Sequence, residues 1–212
     1  MNVKPLPLAA LAAAAVLSTM AIADAIWNAN VPGRPGPWMD AESFDFLARA
    51  LNLAHSGVYV LFAAALLSTG QAIDRGRLLA RLSRWILVAG YAAFAVAFAW
   101  LGAVDPHRQP EGVFATLVNV AFMITLVAPI ILGFALIRRR ELRAAVILLI
   151  SPVALIPMTI LLGLIGPWGH PAYLESAIGF GVALLCVSAS TSSVSDSGSS
   201  HDARTHVVVE GR

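Results

Sequence analysis

Asp45, Arg49, Asn52 and Ser56 stand four, three and four residues apart in an otherwise apolar stretch. That spacing places them on one stripe of a helix. His55 borders the stripe and Tyr59 lies one turn further along. An arginine inside a membrane segment is costly unless it reaches the interface or pairs, and Asp45 is the natural partner at i−4. Two kinds of chemistry fit. In one, the ion pair only sets the depth of the helix. In the other, Asp45, Arg49, Asn52 and His55, with Asp105, edge a pocket for an anion, a polar solute or a lipid headgroup. Arg49 then supplies the counter-charge and His55 a titratable donor.

A second set is His55, His107, His170 and Glu175, with Asp105 and Asp24 near the same predicted end of the chain's helices. Imidazole and carboxylate are ordinary zinc ligands, and a metal-bound water would serve an intramembrane hydrolase. The set lacks HExxH and lacks a histidine pair at i, i+4. Asp105-Pro106-His107 reads as a loop, and His170 between Gly169 and Pro171 reads as a turn. The bland alternative is solvated histidines and no cofactor. Cys186, the single cysteine, excludes an intrachain disulfide and any multi-cysteine metal site; it reads as a small packing residue. Lys4 is the only lysine, which excludes a retinal-type Schiff base, and no phosphate-cradling glycine loop or nucleophile elbow is present.

The elements that must position these residues are apolar. The chain is 58% hydrophobic and 12% charged, against about 25% charged in soluble domains. Its mean hydropathy is +0.79. The pattern predicts an all-α, polytopic membrane bundle of six helices: Leu6–Ile26, Phe46–Ser68, Trp85–Val104, Val113–Ile137, Ala144–Ile165 and Ala172–Ala189. Each is long enough for a hydrocarbon layer about 30 Å thick. Helices satisfy their own backbone groups, which lipid requires.

Charge is sorted between the connections. Arg75, Arg77, Arg81 and Arg84 precede the third helix, and Arg138, Arg139, Arg140 and Arg143 precede the fifth. Asp40, Glu42, Asp45, Asp105, Glu111 and Glu175 fall in or beside the alternate gaps. Arginine-rich loops stay cytoplasmic. The expected location is therefore a bacterial inner membrane, multi-pass, with both termini cytoplasmic and the candidate pocket outside. The pI near 9.1 follows from these loops; without interleaved aromatics they do not suggest nucleic acid. The partners implied are the bilayer, a lipid-like ligand or other membrane subunits. Residues 1–25 admit a second reading as a cleaved signal peptide, with Ala21-Ile22-Ala23 or Ala23-Asp24-Ala25 at the cut. The serine-rich stretch 191–212 is expected to be a disordered tail apart from the 1–190 membrane domain.

Pro152 and Pro157 predict a kink in the fifth helix. Ala89, Ala93 and Ala97 predict a close-packed seam on the third. Trp27, Trp38, Trp85, Trp100 and Trp168 fall near helix ends, where amphipathic rings anchor. No internal repeat supports an inverted-repeat transporter.

Asp105-Pro106-His107 after the third helix and the turn Gly166-Pro-Trp-Gly-His-Pro171 before the sixth resemble uncharacterised bacterial six-helix membrane families of DRAM/Frag-like appearance, over roughly residues 5–190. Members often carry a histidine at the head of the fourth helix; here that stretch reads Val113-Phe-Ala-Thr-Leu-Val-Asn119. The resemblance implies a small integral membrane protein and transfers no catalytic residue. The sequence therefore favours a non-enzymatic binding protein or membrane subunit. A metal-dependent intramembrane hydrolase is the alternative from another class, and a small transporter a third.

Overall fold

The computed structural model describes residues 4–32, 34, 36, 41–104 and 112–205, side chains at 41–43 and 192–205 excepted. All regular structure among them is helical. In chain order the elements are α1 (Pro5–Asn30), α2 (Ala41–Ser68), α3 (Gly70–Asp74), α4 (Leu78–Ala103), α5 (Gly112–Leu136), a 3-10 turn (Arg140–Leu142), α6 (Arg143–Ile150), α7 (Pro152–Ile165) and α8 (Ala172–Thr205). Six segments are long and apolar enough to cross a membrane, α6 and α7 together making one of them.

Local chemistry explains most boundaries. Pro5 sits at the first position of α1, where its missing N–H costs nothing. The helix closes on Val31, whose N–H bonds the Trp27 carbonyl, just before Pro32. α2 is kinked at Phe44, whose φ of −138° and ψ of 55° are not helical. α4 begins at Leu78 rather than at Trp85. Arg75 (φ 35°) and Gly76 (φ 76°) make the turn, and no helix breaker follows them. Arg81 and Arg84 are thus helical residues, not loop residues. The fifth span does break at Pro152, which opens α7, while Pro157 lies inside α7. Pro129 lies inside α5. The backbone of α8 continues to Thr205; of the stretch 191–212 expected as a tail, the side chains from 192 on and residues 206–212 lie outside the described residues.

The helices close a ring. α1 packs on α2, α2 on α4, α4 on α5, α5 on α6, α6 on α8 and α8 on α1. The centre is filled by Phe62, Leu87, Tyr91, Leu132, Val182 and Cys186. The alanine seam expected on α4 is corrected: Ala97 is buried, but Ala89 and Ala93 are exposed. Close approach to α5 runs instead through Gly90, where a Cβ would lie 2.7 Å from Ile124 Cγ2. Large apolar side chains such as Val96, Val113, Ile160 and Leu164 face outward, as lipid permits and water would not.

The arginine connections meet at one end of the ring. Arg139 donates to the carbonyls of Ala72 (2.8 Å) and Ile73 (2.9 Å) at the close of α3. Its Nε donates to Glu141 at 2.9 Å. Arg77 Nη1 donates to the Ala135 carbonyl of α5 at 2.9 Å. Arg84 makes a two-pronged pair with Asp74, at 2.9 and 2.8 Å, and both side chains are largely buried.

Candidate functional site

At the opposite end, α2 carries the predicted polar stripe, and the stripe faces α4. Arg49 Nε donates to Asp45 Oδ2 at 2.9 Å, with about a third of the arginine and half of the aspartate side chain exposed. Arg49 Nη1 also lies 3.4 Å from the Gly102 carbonyl and 3.5 Å from that of Ala103. These are last-turn carbonyls of α4, which lack helical partners and carry the negative end of the helix dipole. Arg49 is therefore a clamp between two helices. Gly102 makes the clamp possible, since a Cβ there would lie 2.7 Å from Leu53 Cγ and 3.0 Å from the Arg49 carbonyl oxygen. Ser56 Oγ donates to the Ala95 carbonyl at 2.8 Å, a second stitch. Asn52 is partly buried on the same stripe. His55 Nδ1 lies 3.0 Å from the Leu51 carbonyl oxygen, so it donates to its own helix. The His55 ring stacks on Phe98 at 4.9 Å.

His170 joins the α7–α8 turn to α1. Its Nδ1 accepts the Ala172 N–H at 3.2 Å, at the start of α8. That contact leaves the ring proton on Nε2, which donates to Asp24 Oδ2 at 3.2 Å. The Asn28 amide stands 3.2 Å from the same Nε2. With the proton on Nε2, the amide is better turned to present its oxygen there. Asp24 is within electrostatic reach of both His55 and Glu175. Asp105 and His107 lie outside the described residues. Among the described residues no three His, Cys, Asp or Glu side chains gather as a metal would need.

Glu175 goes elsewhere. It sits in the first turn of α8, where the helix dipole favours a carboxylate. It lines a crevice of ≈ 40 Å³ under the α7–α8 turn, room for about one water or a small headgroup. Pro171 and Leu174 form its outer side, Tyr59, Tyr91 and Phe94 its aromatic wall, and Thr125 an edge on α5. The rings form one cluster. Tyr59 stacks on Phe94 at 5.1 Å and on Tyr91 at 5.7 Å, and Phe62 meets Tyr91 at 5.4 Å. Tyr91 Oη is buried without a hydrogen-bond partner among the described residues. The Glu175 carboxyl has neither a hydrogen-bond nor an ion-pair partner among the described residues.

Of the marked residues that are described, only Glu175 and the neighbouring Tyr59 line this crevice. Asp45, Arg49, Asn52 and His55 lie along the α2–α4 contact, and His170 holds the turn above. Tyr91 and Thr125 were not foreseen. A signal for the aromatic wall existed: His55, Tyr59 and Phe62 recur at four and three on α2, and Tyr91, Phe94 and Phe98 at three and four on α4.

Six apolar spans closed into one ring define a multi-pass membrane protein. Comparison with models of protein families, with curated proteins and with solved structures found no match.

Proposed function

We propose that this chain is a membrane binding protein whose crevice takes a small organic cation from the end opposite the arginine clusters. The observation that carries this reading is Glu175, with no hydrogen-bond or ion-pair partner among the described residues, lining a crevice walled by the rings of Tyr59, Tyr91 and Phe94. A carboxylate within a membrane segment is costly without a cation, and aromatic faces attract ammonium groups. The small volume suits an ammonium head with a short alkyl stem.

Butylammonium and its neutral counterpart butanol are the probes, with thermal unfolding of the purified full-length protein in detergent as the readout. Butylammonium raises the melting temperature saturably, as a ligand of the folded state must, and butanol does not. Glu175→Gln weakens the cation by about tenfold or more, the size of a lost charge-assisted contact. Equal shifts with both probes on the wild type, or an unchanged response in the variant, overturn the reading.

Orientation follows from the sorting of charge. The arginine end faces the cytoplasm of a bacterial inner membrane, and both termini lie on that side. Single cysteines at Gln71 and at Trp168, with Cys186 replaced by alanine, test it in intact cells. A membrane-impermeant maleimide labels the second at once and the first only after the membrane is opened. The reverse order would invert the protein and put the crevice in the cytoplasmic half.

A further inference from the structure

A groove of ≈ 630 Å³ lies at the arginine end, between the α2–α3 corner and the start of α4. Four guanidinium groups line it, those of Arg75, Arg77, Arg81 and Arg84, against one carboxylate, Asp74. Asp74 is spent on Arg84, which holds it with two hydrogen bonds. Arg75 shares Glu141 at 3.8 Å, a pair with about two-fifths of each side chain exposed, so screening weakens it. Arg77 bonds only a neutral carbonyl, that of Ala135. Arg81 is exposed and has no partner among the described residues. At Arg77 and Arg81 the groove therefore holds positive charge that no carboxylate among the described residues cancels.

The arrangement is also unfavourable by itself. Arg77 and Arg81 stand four residues apart at the start of one helix, so like charges stack. They sit where the helix dipole is positive as well. An anion in the groove reverses both terms. Guanidinium forks suit a phosphate oxygen pair.

The surroundings say which anion. Leu67, Leu78 and Trp85 line the same groove, and each keeps about half or more of its surface exposed on the outside of the bundle. Leu82, one turn on from Leu78, is half exposed too. The groove is thus charged at the end of the spans and apolar along the lipid-facing side. A free phosphate needs only the first half; a phospholipid uses both. Basic pockets at such a level between membrane helices suit acidic headgroups.

We propose that Arg77 and Arg81, supported by Arg75, hold the headgroup phosphate of an anionic phospholipid whose acyl chains lie along Leu78, Leu82 and Trp85. The site is separate from the Glu175 crevice and does not depend on that reading or on the orientation of the chain.

The test is native mass spectrometry of the full chain, released from detergent with phosphatidylglycerol or phosphatidylcholine added. The wild type retains phosphatidylglycerol in preference to phosphatidylcholine. In Arg77→Gln/Arg81→Gln that preference falls, by roughly fivefold for each arginine removed. Arg138→Gln/Arg140→Gln removes equal charge from exposed positions of the other cluster and leaves the preference unchanged. Arg81→Gln alone, which keeps the tie of Arg77 to α5, replaces the double variant if that one fails to fold. Equal loss in both double variants overturns the proposal, because bulk charge then suffices. So does displacement of phosphatidylglycerol by inorganic phosphate alone, because the ligand is then a free anion. Unchanged retention in Arg81→Gln and in the double variant overturns it as well.

Discussion

Replacing Asp74 with alanine is expected to lower the unfolding free energy by about 3–5 kcal/mol, the usual result of stranding one member of a buried ion pair. Arg84 has 6% of its side chain exposed and Asp74 13%. The guanidinium fits because Gly70 has no side chain: a Cβ there would lie 2.6 Å from Arg84 Cζ. Arg84 Nη1 also reaches the Leu66 carbonyl at 3.5 Å, and its Cζ stands 5.1 Å from the Trp85 ring. These contacts keep the guanidinium in place when the carboxylate is gone, so its charge stays buried and uncompensated. Unfolding in mixed micelles with increasing dodecyl sulfate measures the loss. The double variant Asp74→Leu/Arg84→Met should regain most of it, since an apolar pair removes the charge along with its partner. A cost below about 1 kcal/mol for the single variant would put the pair in the class of solvent-screened bridges.

Gly169→Ala should be the most damaging single methyl in the α7–α8 turn. A Cβ at that position would overlap the Cα of Gly163 and lie 2.6 Å from its nitrogen and 2.8 Å from the Thr159 carbonyl oxygen. All three are backbone atoms of α7, and none can swing aside as a side chain would. Overpacking of this kind costs about 1–3 kcal/mol. The turn must lift, and His170 lifts with it, so the contacts to Asp24 and to the Ala172 N–H open. Pro171 and Leu174 then leave the mouth of the crevice. The same micelle unfolding reads the stability loss. Butylammonium binding should weaken in parallel, although Glu175 itself is untouched. Full retention of both stability and binding would show that the turn tolerates displacement and does not shape the crevice.

The two variants separate what was legible from what was not. Arg49 with Asp45 could be read directly, because partners at i, i+4 share a helix face whatever the tertiary structure does. The interruption of the fifth span at Pro152 was legible for the same reason: proline acts on its own helix. Arg84 was read as one more loop cation. Its burial depends on Asp74 coming back across the Arg75–Gly76 turn and on Gly70 leaving room. The alanine seam failed in the same way. Spacing puts Ala89 and Ala93 on one face of α4 but does not say whether that face meets a helix or lipid, since both are apolar. In water, periodicity separates core from surface; in a bilayer that contrast is lost, and packing is chosen by small residues such as Gly90 and Gly102.

The amino-acid sequence by itself determined the solvent, the number of spans and the sorting of charge between the two ends. Each of these rests on composition over a window no longer than one helix. Only the tertiary structure decided which groups meet: Glu175 with the aromatic wall under the turn, His170 with Asp24, Arg49 with the end of α4, and Arg77 with Arg81 along an open groove. Those meetings depend on how each helix is rotated about its axis. That rotation is set by backbone contacts between segments far apart in the chain, which no local pattern records.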